Sequence, residues 1–271
     1  YTMNLNDPNA QPRAIAITAV EDERDVYRYQ SGNREVSEAA LSPDGKVMAF
    51  VAYGEVFIRN TADNSPTRRV TFSHAREGGI AWSPDGLKLY YVSDEDGTES
   101  IYAASVALTR KEIKEAFEKA TAPPKEEEPV AEEPAENNAG DEPEGEAAGA
   151  DSDAKQDEAK KKDEKKKDEP KDPMKDPARW HDAWKFTLTP VVQTAENDRD
   201  PSPSPDGNSL AFRRGRGDLA IMDLATGETR TLVEGWDTSI SWRWSPNSKL
   251  IAYDQNDRNF NSDVFIIPAD G

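Results

Sequence analysis

Two histidines, His74 and His181, are the chain's only imidazoles, and cysteine is absent. A histidine acts as a general base only beside a nucleophile or carboxylate placed to use it. Neither histidine has a serine or carboxylate at a motif spacing, so both read as structural. Without cysteine there is no disulfide framework and no thiolate metal, iron–sulfur or thiol chemistry. Asp94-Glu95-Asp96-Gly97 matches part of a calcium loop, but it lacks the third carboxylate before the glycine and the distal bidentate glutamate. It reads as a hairpin tip, as do Asp254, Asp257 and Asp263. Arg213, Arg214 and Arg216 cluster in an acidic chain. Guanidinium forks match carboxylates, so these three are candidates to hold the carboxylate of a peptide. The preferred reading is a solvated hairpin tip. Trp236, Trp242 and Trp244 suit a surface groove or, in the preferred reading, packing between sheets. No nucleophile elbow or phosphate-binding glycine loop is present. No catalytic, cofactor or metal residue is therefore assigned.

Charge narrows the partners. The 271 residues carry 34 Lys and Arg against 53 Asp and Glu, a formal charge of −19. A surface this acidic argues against nucleic acid, whose phosphates need basic contacts. No apolar run approaches the roughly 18 residues of a spanning helix, so no transmembrane segment is expected.

The acids are unevenly spread. From Glu118 to Arg179 there is no aromatic residue, and Val130 is the only Val, Ile or Leu. Such a tract buries too little apolar surface to offset its ordering entropy and reads as disordered. Its second half holds two triple-lysine runs, Lys160–Lys162 and Lys165–Lys167. Interleaved acids dilute them, so a solvated tether is preferred over a nuclear signal or an anion-binding arm. Just before the tract, Thr109 to Ala120 reads as a short helix. Thr109 caps its first turn, Glu112 completes a capping box, and Ile113 and Phe117 share one face.

Four corners repeat across the rest of the chain. Ser42 leads Pro43, Asp44 and Gly45; Ser83 leads Pro84, Asp85 and Gly86; Ser204 leads Pro205, Asp206 and Gly207. The fourth, Ser245-Pro246-Asn247-Ser248, departs from the pattern and is expected to weaken its turn. Pro43 to Pro84 and Pro205 to Pro246 are both 41 residues apart. A period near 40 with short strands signals a propeller blade. Proline presets φ, Asp follows, and Gly takes the left-handed position that lets the chain re-enter a strand. Five and seven residues past each proline sit Met48 and Phe50, Leu89 and Tyr91, Leu210 and Phe212, Ile251 and Tyr253. These form one large column on one face, with mostly small residues between them. A third strand follows in every unit and a fourth in three units. The expected fold is an all-β propeller of four-stranded blades with a long disordered charged insert.

The chain divides into blades over 1–106, a short helix plus charged insert over 107–178, and blades over 179–271. Tyr1–Leu5 and Ile15–Ile17 look like the last strands of an earlier blade. With its ends inside blades, the chain reads as a fragment of a longer protein, preferred over a closed four-blade ring.

The Ser-Pro-Asp-Gly corners, followed by Met48-Ala49-Phe50 or Leu210-Ala211-Phe212, resemble the repeats of TolB-type propellers and of tricorn protease. Glu38 to Gly45, Gly54 to Phe57, Ile80 to Gly86 and Asp96 to Tyr102 are most similar to blades of tricorn-like serine peptidases. That resemblance implies a non-catalytic propeller that gates or scaffolds peptide for a catalytic domain outside this chain. It implies peptide or protein substrates, the remaining domains of the same polypeptide and a homo-oligomer as partners, no cofactor, and a periplasmic or envelope location with cytoplasm as the alternative. A TolB-type interaction propeller without enzyme activity and the propeller of a prolyl-oligopeptidase-type hydrolase are the other readings.

Overall fold

Serine at the head of each corner is what ties the corner shut. The computed structural model describes residues 35–121, 172–236, 239–257 and 259–270, and at all four corners it shows the same knot. The serine hydroxyl donates to the side-chain oxygen two residues on: Ser42 to Asp44, Ser83 to Asp85 and Ser204 to Asp206 at 2.6 Å, Ser245 to Asn247 at 2.7 Å. That oxygen accepts the backbone N–H of Lys46, Leu87, Asn208 or Lys249. The serine oxygen in turn accepts the N–H that opens the next strand, at Val47, Ser209 or Leu250, or the one just before it, at Lys88. Asn247 makes both bonds of this knot that its aspartate counterparts make, so the knot is complete at the fourth corner as well. The reason is that the knot needs an acceptor oxygen, not a charge.

Ser248 does take the left-handed position, at φ 59, where Gly45, Gly86 and Gly207 lie between 70 and 75. A side chain there costs roughly 1 kcal/mol. Yet its hydroxyl accepts the N–H of Asp206 in the neighbouring corner at 3.0 Å, a bond of similar net value. Ser248→Gly is therefore expected to leave the unfolding midpoint nearly unchanged. Gly86→Ala should lower it, because a Cβ at φ +70 would also stand 3.1 Å from Pro177 Cβ. Denaturant titration of both variants checks the contrast.

Each corner joins the first two strands of an antiparallel blade. Blade 1 is β1 (Val36–Leu41), β2 (Val47–Ala52), β3 (Glu55–Asn60) and β4 (Thr67–Arg69). Blade 2 is β5 (Glu77–Trp82), β6 (Leu89–Ser93), β7 (Ser100–Thr109) and β8 (Ala183–Val192). Blade 3 is β9 (Asp198–Pro203), β10 (Ser209–Arg214), β11 (Asp218–Asp223) and β12 (Thr229–Val233). Blade 4 has three described strands, β13 (Ser241–Trp244), β14 (Leu250–Asn256) and β15 (Ser262–Pro268). Strand order follows the sequence within every sheet, as a propeller meander requires. Apart from Val36 at the start of β1, these blades lie in the unit formed by residues 37–271; of the unit formed by 1–36, only residues 35 and 36 are described.

The two residue columns explain how blades stack. Leu89 and Tyr91 of blade 2 pack with Val47, Ala49 and Val51 of blade 1. Leu210 and Phe212 of blade 3 pack with Tyr90 and Val92 of blade 2. Ile251 and Tyr253 of blade 4 pack with Ala211 of blade 3. The large column of one blade thus enters the intervening column of the blade before it, which fills space without strain. Aromatic rungs stiffen the columns: Phe50 stacks on Phe57, Tyr91 on Tyr102 and Tyr253 on Phe265, each a directly paired position. Trp82 and Trp244, two residues before their corner prolines, donate indole N–H bonds to Ala40 O and Ser202 O of the preceding blade.

The expected helix is present as α1 (Arg110–Thr121). Its capping box forms as expected: Glu112 N–H donates to Thr109 Oγ1 at 3.2 Å, and Thr109 N–H to Glu112 Oε2 at 2.8 Å. Ile113 and Phe117 stay exposed, so the helix is held by its start and not by its apolar face. Arg179 grips Glu112 in an ion pair. The tract read as disordered lies mostly outside the described residues, as do Tyr1–Leu5 and Ile15–Ile17. Its described ends are ordered: two 3-10 turns span Pro173–Lys175 and Pro177–Asp182, each capped by the aspartate before its proline. Likewise β7 runs on to Thr109, which pairs with Ala183.

Candidate functional site: the axial pocket

The innermost strands β1, β5, β9 and β13 line one cavity of about 420 Å³. One residue per blade occupies the same repeat position there, five before the corner proline. These are Glu38, Gly79, Asp200 and Ser241. Sequence reasoning passed over this column because its four members share no chemistry. Counting back from each proline would have found it.

Two of the four sit in β-bulges. Between β5 and β6, Gly79 and Ile80 face a single residue, and between β9 and β10, Asp200 and Pro201 do the same. The first bulge residue is left-handed in both, Gly79 at φ 58 and Asp200 at φ 56. A bulge re-aims the backbone and sharpens the local twist, and here it turns the strand toward the cavity. At Gly79 no side chain fits, because a Cβ would lie 2.8 Å from Val92 Cγ2. Asp200 tolerates the conformation, as a short polar side chain can.

The pocket is polar and mostly self-satisfied. Glu38 crosses between blades to accept the N–H of Ile80 at 3.1 Å. Asp200 is ion-paired to Arg213 at 2.6 Å. Ser241 donates its hydroxyl to Asp254. Arg243 and Trp242 complete the wall beside it.

The sequence candidates fall as follows. Arg213 and Arg214 lie in β10, not at a hairpin tip, and each holds a carboxylate of β9: Asp200 for Arg213 and Asp198 for Arg214. Arg216 is exposed at the turn. Trp242 is buried between blades and Trp244 half-buried, whereas Trp236 is 42% exposed, with its indole bonded to Asn256 O. Asp257 accepts bonds from Asn259 and Asn261, which pull its carboxyl below the usual range. His74 is exposed.

His181 was not expected to meet an aspartate, yet its Nε2 lies 2.6 Å from Asp44 Oδ2. Ser42, Asp44 and His181 are the three residue types of a serine hydrolase, but in the wrong order. The carboxylate stands in the middle, and the Ser42 hydroxyl donates to Asp44 instead of to the imidazole. A nucleophile must give its proton to the base, so this cluster cannot activate Ser42. Burial opposes ionisation of Asp44, but Ser42, the Lys46 N–H and His181 outweigh it and hold the carboxyl down at about 2. The cluster fastens the second 3-10 turn to the first corner. Buried Trp180 of that turn, edge-on to Trp82 at 4.8 Å, completes the contact.

The arrangement defines a class, a β-propeller with a polar axial pocket. Comparison with known proteins bears on the fold alone. TolB from Acinetobacter baumannii has a similar fold at TM-score 0.51 and 16% identity, over 89% of this chain and 42% of that one. A putative TolB from Agrobacterium tumefaciens aligns at TM-score 0.49 and 14% identity, over 87% of this chain and 59% of that one. The tricorn protease aligns at 0.47 and 10% identity, over 91% of this chain and 18% of that one. The chain thus spans less than two thirds of the length of each. No family model matches, and no curated protein matches.

Proposed function

We propose that this propeller is a non-catalytic peptide-binding module, the gate or scaffold of a tricorn-like serine peptidase of the cell envelope. The observation that carries the reading is the axial pocket itself. One position from each blade converges on it, and its four strands together offer Glu38, Asp200, Ser202, Ser241 and Arg243 to an extended peptide. The corner motifs' resemblance to tricorn-like blades supports the wider assignment. Arg216, exposed at the turn that follows β10 and outside the axial pocket's lining, is the remaining arginine candidate for a peptide carboxylate.

The purified chain should bind fragments of unfolded casein and release no new peptide from them. Arg243→Glu places a third acid beside Glu38 and Asp200 and should weaken binding of acidic fragments roughly tenfold. Titration calorimetry reads the binding and mass spectrometry the cleavage. Cleavage that survives repurification, or binding indifferent to Arg243→Glu, would contradict the reading.

A further inference from the structure

Glu77 and Asp198 are repeat equivalents, each seven residues before its corner proline and each opening the first strand of its blade. Both are buried, 3% and 0% exposed. Each donates its backbone N–H to the hairpin of the preceding blade at 2.7 Å, Glu77 to Gly54 O and Asp198 to Glu99 O. Each carboxylate accepts a hydroxyl from four residues earlier, Ser73 or Thr194.

The two sites differ in their other partners: Glu77 takes a second hydroxyl, from Thr71 at 3.2 Å, and lies near the Glu55 carboxyl. Across the sheet, Asp198 faces Arg214 and Glu77 faces Ser93. Arg214 Nε donates to Asp198 Oδ1 at 2.9 Å, and its guanidinium lies 5.2 Å from the centre of the Phe212 ring. Blade 2 keeps the acid and the ring, since Tyr91 is the equivalent of Phe212, but it lacks the arginine. Among the described residues no basic side chain is ion-paired to Glu77, and a lone buried carboxylate is costly. Burial, and then the nearby Glu55 carboxyl, push the Glu77 carboxyl up against the Ser73 and Thr71 hydroxyls that favour ionisation.

Beside Glu77 and Tyr91 lies a cavity of about 390 Å³ in the groove between blades 1 and 2. Phe72 and Trp184 stand at its exposed walls, and Glu95 adds a second acid. Arg69 lies over the Phe72 ring and Arg110 over the Trp184 ring, at 5.0 and 4.9 Å, and neither arginine lines the cavity. Lys185 also lines the cavity without pairing to Glu77.

We propose that this cavity binds the guanidinium of an arginine side chain presented by a peptide, with Glu77 as its counter-ion and Tyr91 as its stacking surface. Blade 3 holds the template for that complex within the same chain, in Asp198, Phe212 and Arg214. The flat, delocalised guanidinium suits an acid-and-ring site better than a compact ammonium does. The site is separate from the axial pocket, so either assignment can fail alone.

Calorimetric titration of the full chain with N-acetyl-arginine amide tests this, with the lysine and citrulline amides as probes of charge and shape. Arginine should bind saturably, lysine roughly tenfold more weakly, and citrulline, equal in shape but uncharged, not measurably. Glu77→Gln should weaken arginine binding at least about tenfold. Ser93→Arg restores the blade 3 arrangement, so it should abolish arginine binding without lowering the unfolding midpoint. If either substitution prevents folding, Trp184→Ala, at an exposed wall, provides the weakened variant. No saturable arginine binding, citrulline or lysine binding as tightly as arginine, or undiminished binding by Ser93→Arg or Trp184→Ala overturns the proposal.

Discussion

Truncating Trp180 to alanine is expected to destabilise the fold by about 3–5 kcal/mol, the range for a buried tryptophan. The side chain is 2% exposed, sits edge-on to Trp82, stacks on Phe186 and donates to Leu87 O. Its loss leaves a cavity between blades 1 and 2 and strips the anchor from the Pro177–Asp182 turn. Removing residues 122–171, with a short Gly-Ser bridge from α1 to Asp172, should behave oppositely. Loop closure scales as the logarithm of length, so that deletion should stabilise by at most about 2 kcal/mol. Urea unfolding followed by circular dichroism compares the two. A mild Trp180→Ala or an unfolded deletion would show that the ordered edge of the charged tract has been misplaced.

Asp198→Ala is expected to be as severe, about 3–5 kcal/mol, because it leaves Arg214 partly buried without its acid. The carboxylate is fully buried and takes bonds from Arg214 at 2.9 Å and Thr194 at 2.7 Å. The sharper expectation concerns the double variant. Asp198→Leu with Arg214→Met removes both charges, and should recover much of the loss because no unpaired charge remains. Since Asp198 lies two residues before the bulge at Asp200, the single variant should also loosen the axial pocket. If the double variant is less stable than Asp198→Ala, the pair contributes through packing and not through charge balance.

These effects mark where the sequence is readable. Each strand that leads into a corner ends two residues before its proline, at Leu41, Trp82, Pro203 and Trp244. Period and turn chemistry are local, and proline, glycine and the large columns report them directly. The fourth strand of blade 1 is short, Thr67–Arg69, because after Arg69 the chain turns Thr71 toward Glu55 and Glu77. Bulges hid the axial column. An extra residue at Gly79–Ile80 and at Asp200–Pro201 breaks the two-residue alternation from which a face is read. The Asp44–His181 contact joins residues 137 apart, so no spacing rule reaches it. The comparison of Glu77 with Asp198 was open to counting from the prolines, but its meaning rests on the cross-strand register that sets Ser93 where blade 3 has Arg214.

Peptide binding in the axial pocket is tested most directly by hydrogen exchange of the intact chain with and without unfolded casein fragments. Bound fragments should slow exchange in the innermost strands, over Glu77–Trp82, Asp198–Pro203 and Ser241–Trp244, and leave the outer strands of the same blades unchanged. Protection confined to outer strands such as β8, β12 and β15, with none at the axis, would contradict it.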